Sequence, residues 1–258
     1  MTARIVQSTW FLFALALLAA GSGVAAPKAP AGLEVDFTDC VESIGVGLAP
    51  TAGVVALTPA AFVPIGAGTP LAPIVMRTAD CAGIAVDGHA PKPGSIVQIG
   101  AVIVPPQIGQ GDINNYTFWY YTTDPKLAHR LREFGIDAQH VETLDYDLEP
   151  QMVGLPNDLT VTLRRPGDPR FSLHGTVVPS ETPSGSFEAL WWIGTPVGTI
   201  RMDTVVPVIA ISSADLLLTV SDPNSALAKL IGTTRLAFPI IQQFNMFATA
   251  HMSVRVAP

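Results

Sequence analysis

Residues 116–135 read YTFWYYTTDPKLAHRLREFG, and this stretch decides the fold class. Its first part, Tyr116–Thr123, is aromatic and β-branched, a composition that suits a packed, pleated surface and predicts a strand. Alternation puts Tyr116, Phe118 and Tyr120 on one face and Thr117, Trp119 and Tyr121 on the other. Large rings therefore point both ways, as in a strand that is buried on both sides or lines a cavity. The second part predicts a helix over residues 124–135. Asp124 is its N-cap, Pro125 occupies the first turn, and Leu127, Leu131 and Phe134 form one apolar stripe that ends at Gly135.

On either side of this unit the pattern is one of strands. Upstream, residues 34–105 carry short apolar pieces, Ile74–Met76, Ile84–Val86 and Ile96–Val104, punctuated by turn signals such as Asp87-Gly88. Downstream, strands are expected at Thr160–Leu163, Phe171–Val178, Phe187–Ile193, Thr199–Val206, Leu216–Val220 and Phe244–Val256. A second helix is expected from Asp222-Pro223 to Gly232. Its opening echoes the Asp-Pro of the first helix, which is a common way to begin one. The fold class is thus α+β and β-rich: an antiparallel β-barrel-like or sandwich domain with two main helices.

The chain of 258 residues begins with Arg4, an apolar run from Trp10 to Ala20, and the small residues GSGVAA. That run suits a secretory signal peptide over residues 1–26 and is too short to span a bilayer. Residues 27–33 form a Pro-rich, disordered stub, and 34–258 a single β-rich domain. Later apolar runs are broken by Pro, Gly or charge, so no membrane span follows signal cleavage. Cleavage removes Arg4 and no acid, leaving 13 basic against 21 acidic residues, a net charge of −8. Such a surface repels phosphate backbones, which argues against nucleic acid. Mean hydropathy is +0.40 with 14% charged residues, so a large core, an apolar cavity or an apolar patch is expected. The two cysteines, Cys40 and Cys81, are expected to form a disulfide in an exported chain, one that is periplasmic, in the cell envelope or extracellular.

Motifs that announce chemistry are missing: there is no G-x-S-x-G, P-loop, H-E-x-x-H or C-x-x-C. No cofactor or metal is expected. Asp145, Asp147 and Glu149 share a strand face, which a solvated edge strand explains more cheaply than calcium. The aromatic residues cluster at 118–121 and at Trp191-Trp192. Rings with a few polar groups are the usual lining of a small-molecule pocket. The candidate lining is Arg77, Asp80, Asn115, Tyr116, Trp119, Tyr121, His174, Trp191 and Trp192. Of these, Arg77, Asp80, Tyr116 and His174 are the groups to inspect for catalysis.

Three segments carry a family resemblance: Arg132-Glu133-Phe134-Gly135 after an aromatic strand, then Gly198-Thr199-Ile200-Arg201-Met202, then Asn224–Gly232. In this order they resemble the acetoacetate decarboxylase-like superfamily, in particular its exported bacterial branch, over residues 55–255. The resemblance implies a β-barrel-like domain around a mostly apolar pocket. The family's decarboxylases use a Schiff-base lysine soon after Arg-Glu-x-x-Gly-x-Pro-Lys. Here the stretch continues Ile136-Asp137-Ala138-Gln139, one residue shorter before the glycine, with Asp137 for the proline and Ala138 or Gln139 for the lysine. Lys126, in the first helical turn, is the one lysine nearby. The pocket is expected to be kept without that chemistry.

Three functions from different classes follow, in this order. The first is an exported protein that binds a small apolar or amphipathic molecule in a barrel pocket. The second is an enzyme on a small keto, ester or lactone substrate, and the third is a ligand-free envelope or surface interaction protein. Oligomeric state is not legible.

Overall fold

The computed structural model describes residues 31–107, 111–164 and 170–257. The segment read as a signal peptide lies outside the described residues. In chain order the elements are β1 (Leu33–Pro50), α1 (Thr51–Leu57), β2 (Leu71–Val86), β3 (Lys92–Val102), β4 (Ile113–Thr122) and α2 (Pro125–Glu133). Next come β5 (Ala138–His140), β6 (Leu144–Glu149), β7 (Asn157–Leu163), β8 (Phe171–Val177) and β9 (Gly185–Thr195). The chain ends with β10 (Gly198–Val220), α3 (Ala226–Ile231), β11 (Arg235–Ala237) and β12 (Ile241–Val256). Leu33, which the sequence reading left in the stub, is fully buried and opens β1.

Strands β12, β1, β2, β3, β4, β9 and β10 pair in that order, and β12 pairs back to β10, closing a ring. All ring neighbours are antiparallel except β4 and β9, which run parallel. The closed ring leaves no free barrel edge. Strand β10 leaves the barrel at its C-terminal end, where Ala214–Val220 pair with β8. That end carries a second sheet, β6-β7-β8-β10-β11. Pro207 cannot donate to a ladder, and it sits where the β9–β10 register shifts. The two apolar pieces expected at Ile74–Met76 and Ile84–Val86 belong to one strand, β2, because Arg77–Cys81 between them stay in the ladder with β1. Asp87 and Gly88 both have positive φ, and His89 N–H donates to Val86 C=O at 3.2 Å. This is the tight turn that their sequence predicts.

Two cores result. One fills the barrel, where Phe37, Ile44, Val75, Ile96, Trp191 and Met202 meet the stripe Leu127, Leu131 and Phe134 of α2. The other lies between the outer face of the barrel and the second sheet, with Ile74, Met76, Val97 and Ile99 packed against Val161, Phe171, Leu173 and Leu218. Helix α2 begins as predicted: Asp124 Oδ1 accepts from Leu127 N–H at 2.7 Å, and Gly135 turns out at φ 79°. Helix α3 starts later than expected. Asp222 accepts from Asn224 N–H in a turn of its own, and Ser225 is the N-cap, its Oγ accepting from Ala228 N–H at 3.0 Å. The two Asp-Pro segments are therefore not equivalent. The short helix α1 was not anticipated. Cys40 and Cys81 face each other across the β1–β2 ladder and form a disulfide. No helix among the described residues is long and apolar enough to cross a membrane.

Candidate functional site

A polar layer crosses the middle of the barrel. Alternation along the ring strands brings one inward-facing polar residue from almost every strand: Glu42, Arg77, Gln98, Thr117, Thr204 and Asn245. All are at least nine-tenths buried. Arg77 Nε donates to Glu42 Oε2, and Asn245 Nδ2 donates to Glu42 Oε1 at 3.0 Å. Gln98 Nε2 donates to Thr117 Oγ1 at 2.9 Å. A buried charge persists only when it is paired and its remaining sites are bonded, and Glu42 meets that condition.

Other groups in the layer do not. Arg77 Nη1, Asn115 Nδ2, Tyr120 Oη, Trp191 Nε1, Thr204 Oγ1 and Asn245 Oδ1 are buried with no hydrogen-bond partner among the described residues. Burial pushes the Tyr120 phenol well above its ordinary pKa, against the pull of the neighbouring Arg77, so its hydroxyl remains a neutral donor. The space bounded by Glu42, Arg77, Trp191 and Thr204 admits a water's centre over about 10 Å³, room for one water. Ile113 and Phe187, both half-buried, also line it.

The backbone explains how Trp191 reaches this layer. Strand β4 carries a bulge where Ile99 pairs with Trp119 but Gly100 pairs with Thr117. A Cβ on Gly100 would lie 2.0 Å from the Tyr116 carbonyl and 3.0 Å from the Trp191 ring, so only glycine allows this approach. The bulge also corrects the predicted alternation. Tyr120 joins the barrel core, whereas Tyr116, four residues earlier, packs outside with Phe62, Leu190 and Trp192.

The nine expected lining residues therefore separate. Arg77 and Trp191 line one space inside the barrel, and Asn115 is the register partner of Trp191 across β4–β9. Tyr121 and the half-buried Trp119 turn toward the second sheet. Tyr116 and Trp192 lie on the outer side, where Trp192 Nε1 donates to Asn114 Oδ1 at 2.9 Å and Arg201 sits over the Trp192 ring. Asp80 accepts from Ser95 Oγ at 2.5 Å and lines an external cleft. His174 is exposed on β8. The layer also contains Glu42, Gln98, Tyr120, Thr204 and Asn245, which sequence reading did not single out. Their signal is a polar residue at an inward position of an otherwise apolar strand, visible only once the inward face is known. The inner space is lined mainly by apolar side chains, with Glu42, Arg77 and Thr204 as its polar groups.

Among the described residues no lysine faces this layer. Lys92 and Lys229 are exposed, and Lys126 lies on α2 near Asp87. Ala138, one of the two residues standing where the resemblance expects the Schiff-base lysine, is buried in the barrel core.

No protein-family model matches the sequence, and no curated protein matches it. Solved structures do. An acetoacetate decarboxylase aligns with TM-score 0.57 at 10% identity over 86% of this chain and 88% of its own. An acetoacetate decarboxylase-like enzyme from Sphingomonas wittichii RW1 aligns with TM-score 0.55 at 11% identity, covering 87% and 91%. The enduracididine biosynthesis enzyme MppR, complexed with the condensation product of pyruvate and imidazole 4-carboxaldehyde, aligns with TM-score 0.54 at 12% identity over 87% of each chain. With its closed barrel, its capping helix and its second sheet, this chain has the acetoacetate decarboxylase-like fold.

Proposed function

We propose that the protein binds a small amphipathic molecule inside the barrel, its oxygen-bearing end held by the polar layer and its apolar body against the surrounding core. One observation carries this reading: Arg77 Nη1, Trp191 Nε1 and Thr204 Oγ1, which have no hydrogen-bond partner among the described residues, belong to residues that line one space beside Glu42. An unsatisfied buried polar group costs about 1–3 kcal/mol, and one water makes only two to four hydrogen bonds. A carbonyl or carboxylate accepting from Arg77, Trp191 and Asn115 meets the demand better. Entry requires Phe187 and Ile113 at the rim to move, since the space at rest is small. The disulfide suits an exported chain, and an exported single domain spanning residues 34–258 is part of the same proposal.

Catalysis on a keto, ester or lactone substrate is the second reading. It is favoured by the fold neighbours, which are a decarboxylase and a biosynthesis enzyme, the latter also seen complexed with pyruvate. Such chemistry would proceed without a Schiff base, with Glu42 as the acid–base group nearest the bound oxygen.

Native mass spectrometry of protein from its own host, followed by extraction, tests the proposal. A discrete oxygen-bearing adduct is expected on the wild type and not on Arg77→Met or Trp191→Phe. A clean apo mass, together with no thermal shift from pyruvate, acetoacetate or their esters, would sink it. Consumption of one of these compounds by the wild type alone would promote the second reading.

A further inference from the structure

Strand β1 is regular for 18 residues except at Asp39, whose φ is +48°. The ladder keeps one register on both sides of it: Thr38 pairs with Gly83 and Thr249, and Cys40 with Cys81 and Phe247. Asp39 has thus turned out of the row without inserting a residue. Its lateral neighbours, Ala82 and Ala248, are small and exposed. The buried positions are Val35 and Phe37 before it and Cys40 and Glu42 after it, so the left-handed residue switches which face of β1 points inward and leaves Asp39 itself exposed. Its carboxylate borders two adjoining hollows outside the barrel, of about 500 and 540 Å³.

The hollows share Asp39, Val41, Glu181 and Met246, so they form one continuous cleft under the second sheet. Val41 and Met246 make its floor, and Tyr146 and Leu148 of β6 make part of one wall. Asp80 is a third carboxylate on the lining, already bonded to Ser95. The carboxylates of Asp39 and Glu181 have no hydrogen-bond or ion-pair partner among the described residues, and no Lys, Arg or His lines either hollow. An apolar trough of ligand size with unpaired negative charge at its centre selects by charge as well as by shape.

We propose that this cleft is a binding site, separate from the barrel interior, for a small organic cation with an apolar chain. The ammonium sits on Asp39 with Glu181 beside it, and the chain lies along Val41 and Met246. The residues of this site do not overlap those of the barrel layer, so either can fail alone.

Calorimetric titration with decyltrimethylammonium and with decyl sulfate, both below micellar concentration, tests it. The cation is expected to bind at least tenfold tighter than the anion of equal chain length. Asp39→Gly and Asp39→Asn both tolerate the positive φ and keep the fold while removing the charge. Each is expected to weaken the cation at least fivefold and leave the anion unchanged. Glu181→Gln is expected to weaken the cation two- to threefold, and Trp191→Phe in the barrel not at all. Because the protein is acidic overall, Asp39→Gly decides: unchanged cation affinity there means diffuse attraction only, and overturns the site. Equal affinity for the two amphiphiles overturns it as well.

Discussion

Two cores lie back to back in this molecule, separated by the barrel wall, and they treat polar residues differently. In the core between barrel and second sheet, Ser43 and Thr78 are both fully buried and bond each other at 2.5 Å. One position along each strand, on the inner side of the same wall, Glu42 and Arg77 form an ion pair beside Trp191 and Thr204, whose Nε1 and Oγ1 have no hydrogen-bond partner among the described residues. The outer core is closed by complementary apolar surfaces, with Ser43 and Thr78 matched to each other and the Tyr146 hydroxyl buried without a hydrogen-bond partner among the described residues. The inner layer holds more donors and acceptors than it can pair. Unmatched groups of this kind in an interior call for an explanation, and the proposed ligand supplies one.

The sharpest way to break the comparison is to unpair the inner charge. Arg77→Ala leaves Glu42 buried and uncompensated, and is expected to cost about 3–5 kcal/mol in denaturant unfolding. Replacing both partners, Arg77→Met with Glu42→Leu, is expected to be close to neutral for stability and to abolish ligand retention. If the double variant is as unstable as the single one, the pair is structural and the proposed site loses its centre. In the outer core Phe171→Ala is expected to cost about 3–5 kcal/mol through the cavity it opens, with ligand retention unchanged. A loss of retention there would show that the two cores are coupled.

Two further replacements refine the picture. Replacing Cys40 and Cys81 by serine frees a loop with a sequence separation of 41 residues. The chain-entropy model puts the cost at about 4 kcal/mol, read as a lower unfolding midpoint under non-reducing conditions only. Trp191→Phe removes a donor without a hydrogen-bond partner among the described residues and part of a fully buried ring, so it is expected to cost about 0.5–3 kcal/mol through the volume lost while weakening retention of the ligand.

The surface offers a counterpart to the buried pair. His251 bonds Asp36 Oδ1 at 2.7 Å and Glu34 Oε2 at 2.8 Å, and those carboxylates raise its pKa. A raised folded pKa means the contribution is complete below about pH 6.5, the unfolded value, and is lost as pH rises through the folded value. The ring is half exposed, so the contribution is expected to stay under about 1 kcal/mol. His251→Gln should therefore be less stable than the wild type at pH 5.5 and equal to it at pH 9. An equal gap at both values would assign the effect to packing.

Much of the fold was legible in the residues. Asp124-Pro125 with its apolar stripe, the Asp87-Gly88 turn and the two cysteines each act through local geometry or simple pairing, and the structure places each as read. The long β2 was not legible, because Arg77 and Asp80 look like an interruption until the barrel gives Arg77 a buried partner and Asp80 a serine. The alternation of β4 failed at one bulge, and its cause, the contact of Gly100 with Tyr116 and Trp191, is spread over three strands. For the site, Arg77, Asn115 and Trp191 were named from composition alone, but Glu42 and Asn245, which complete the layer, were not. Glu42 and Asn245 are 203 positions apart and meet only because the ring closes.

By itself, then, the sequence determined the strand-rich class, the capped helix and the turn chemistry. Each is a property of neighbouring residues or of residue type. Only the tertiary structure decided which face of each strand is inside, hence that the polar residues form one layer and the rings divide among three separate clusters. Inside and outside are properties of the closed ring, and closure is set by pairings between residues far apart in the chain.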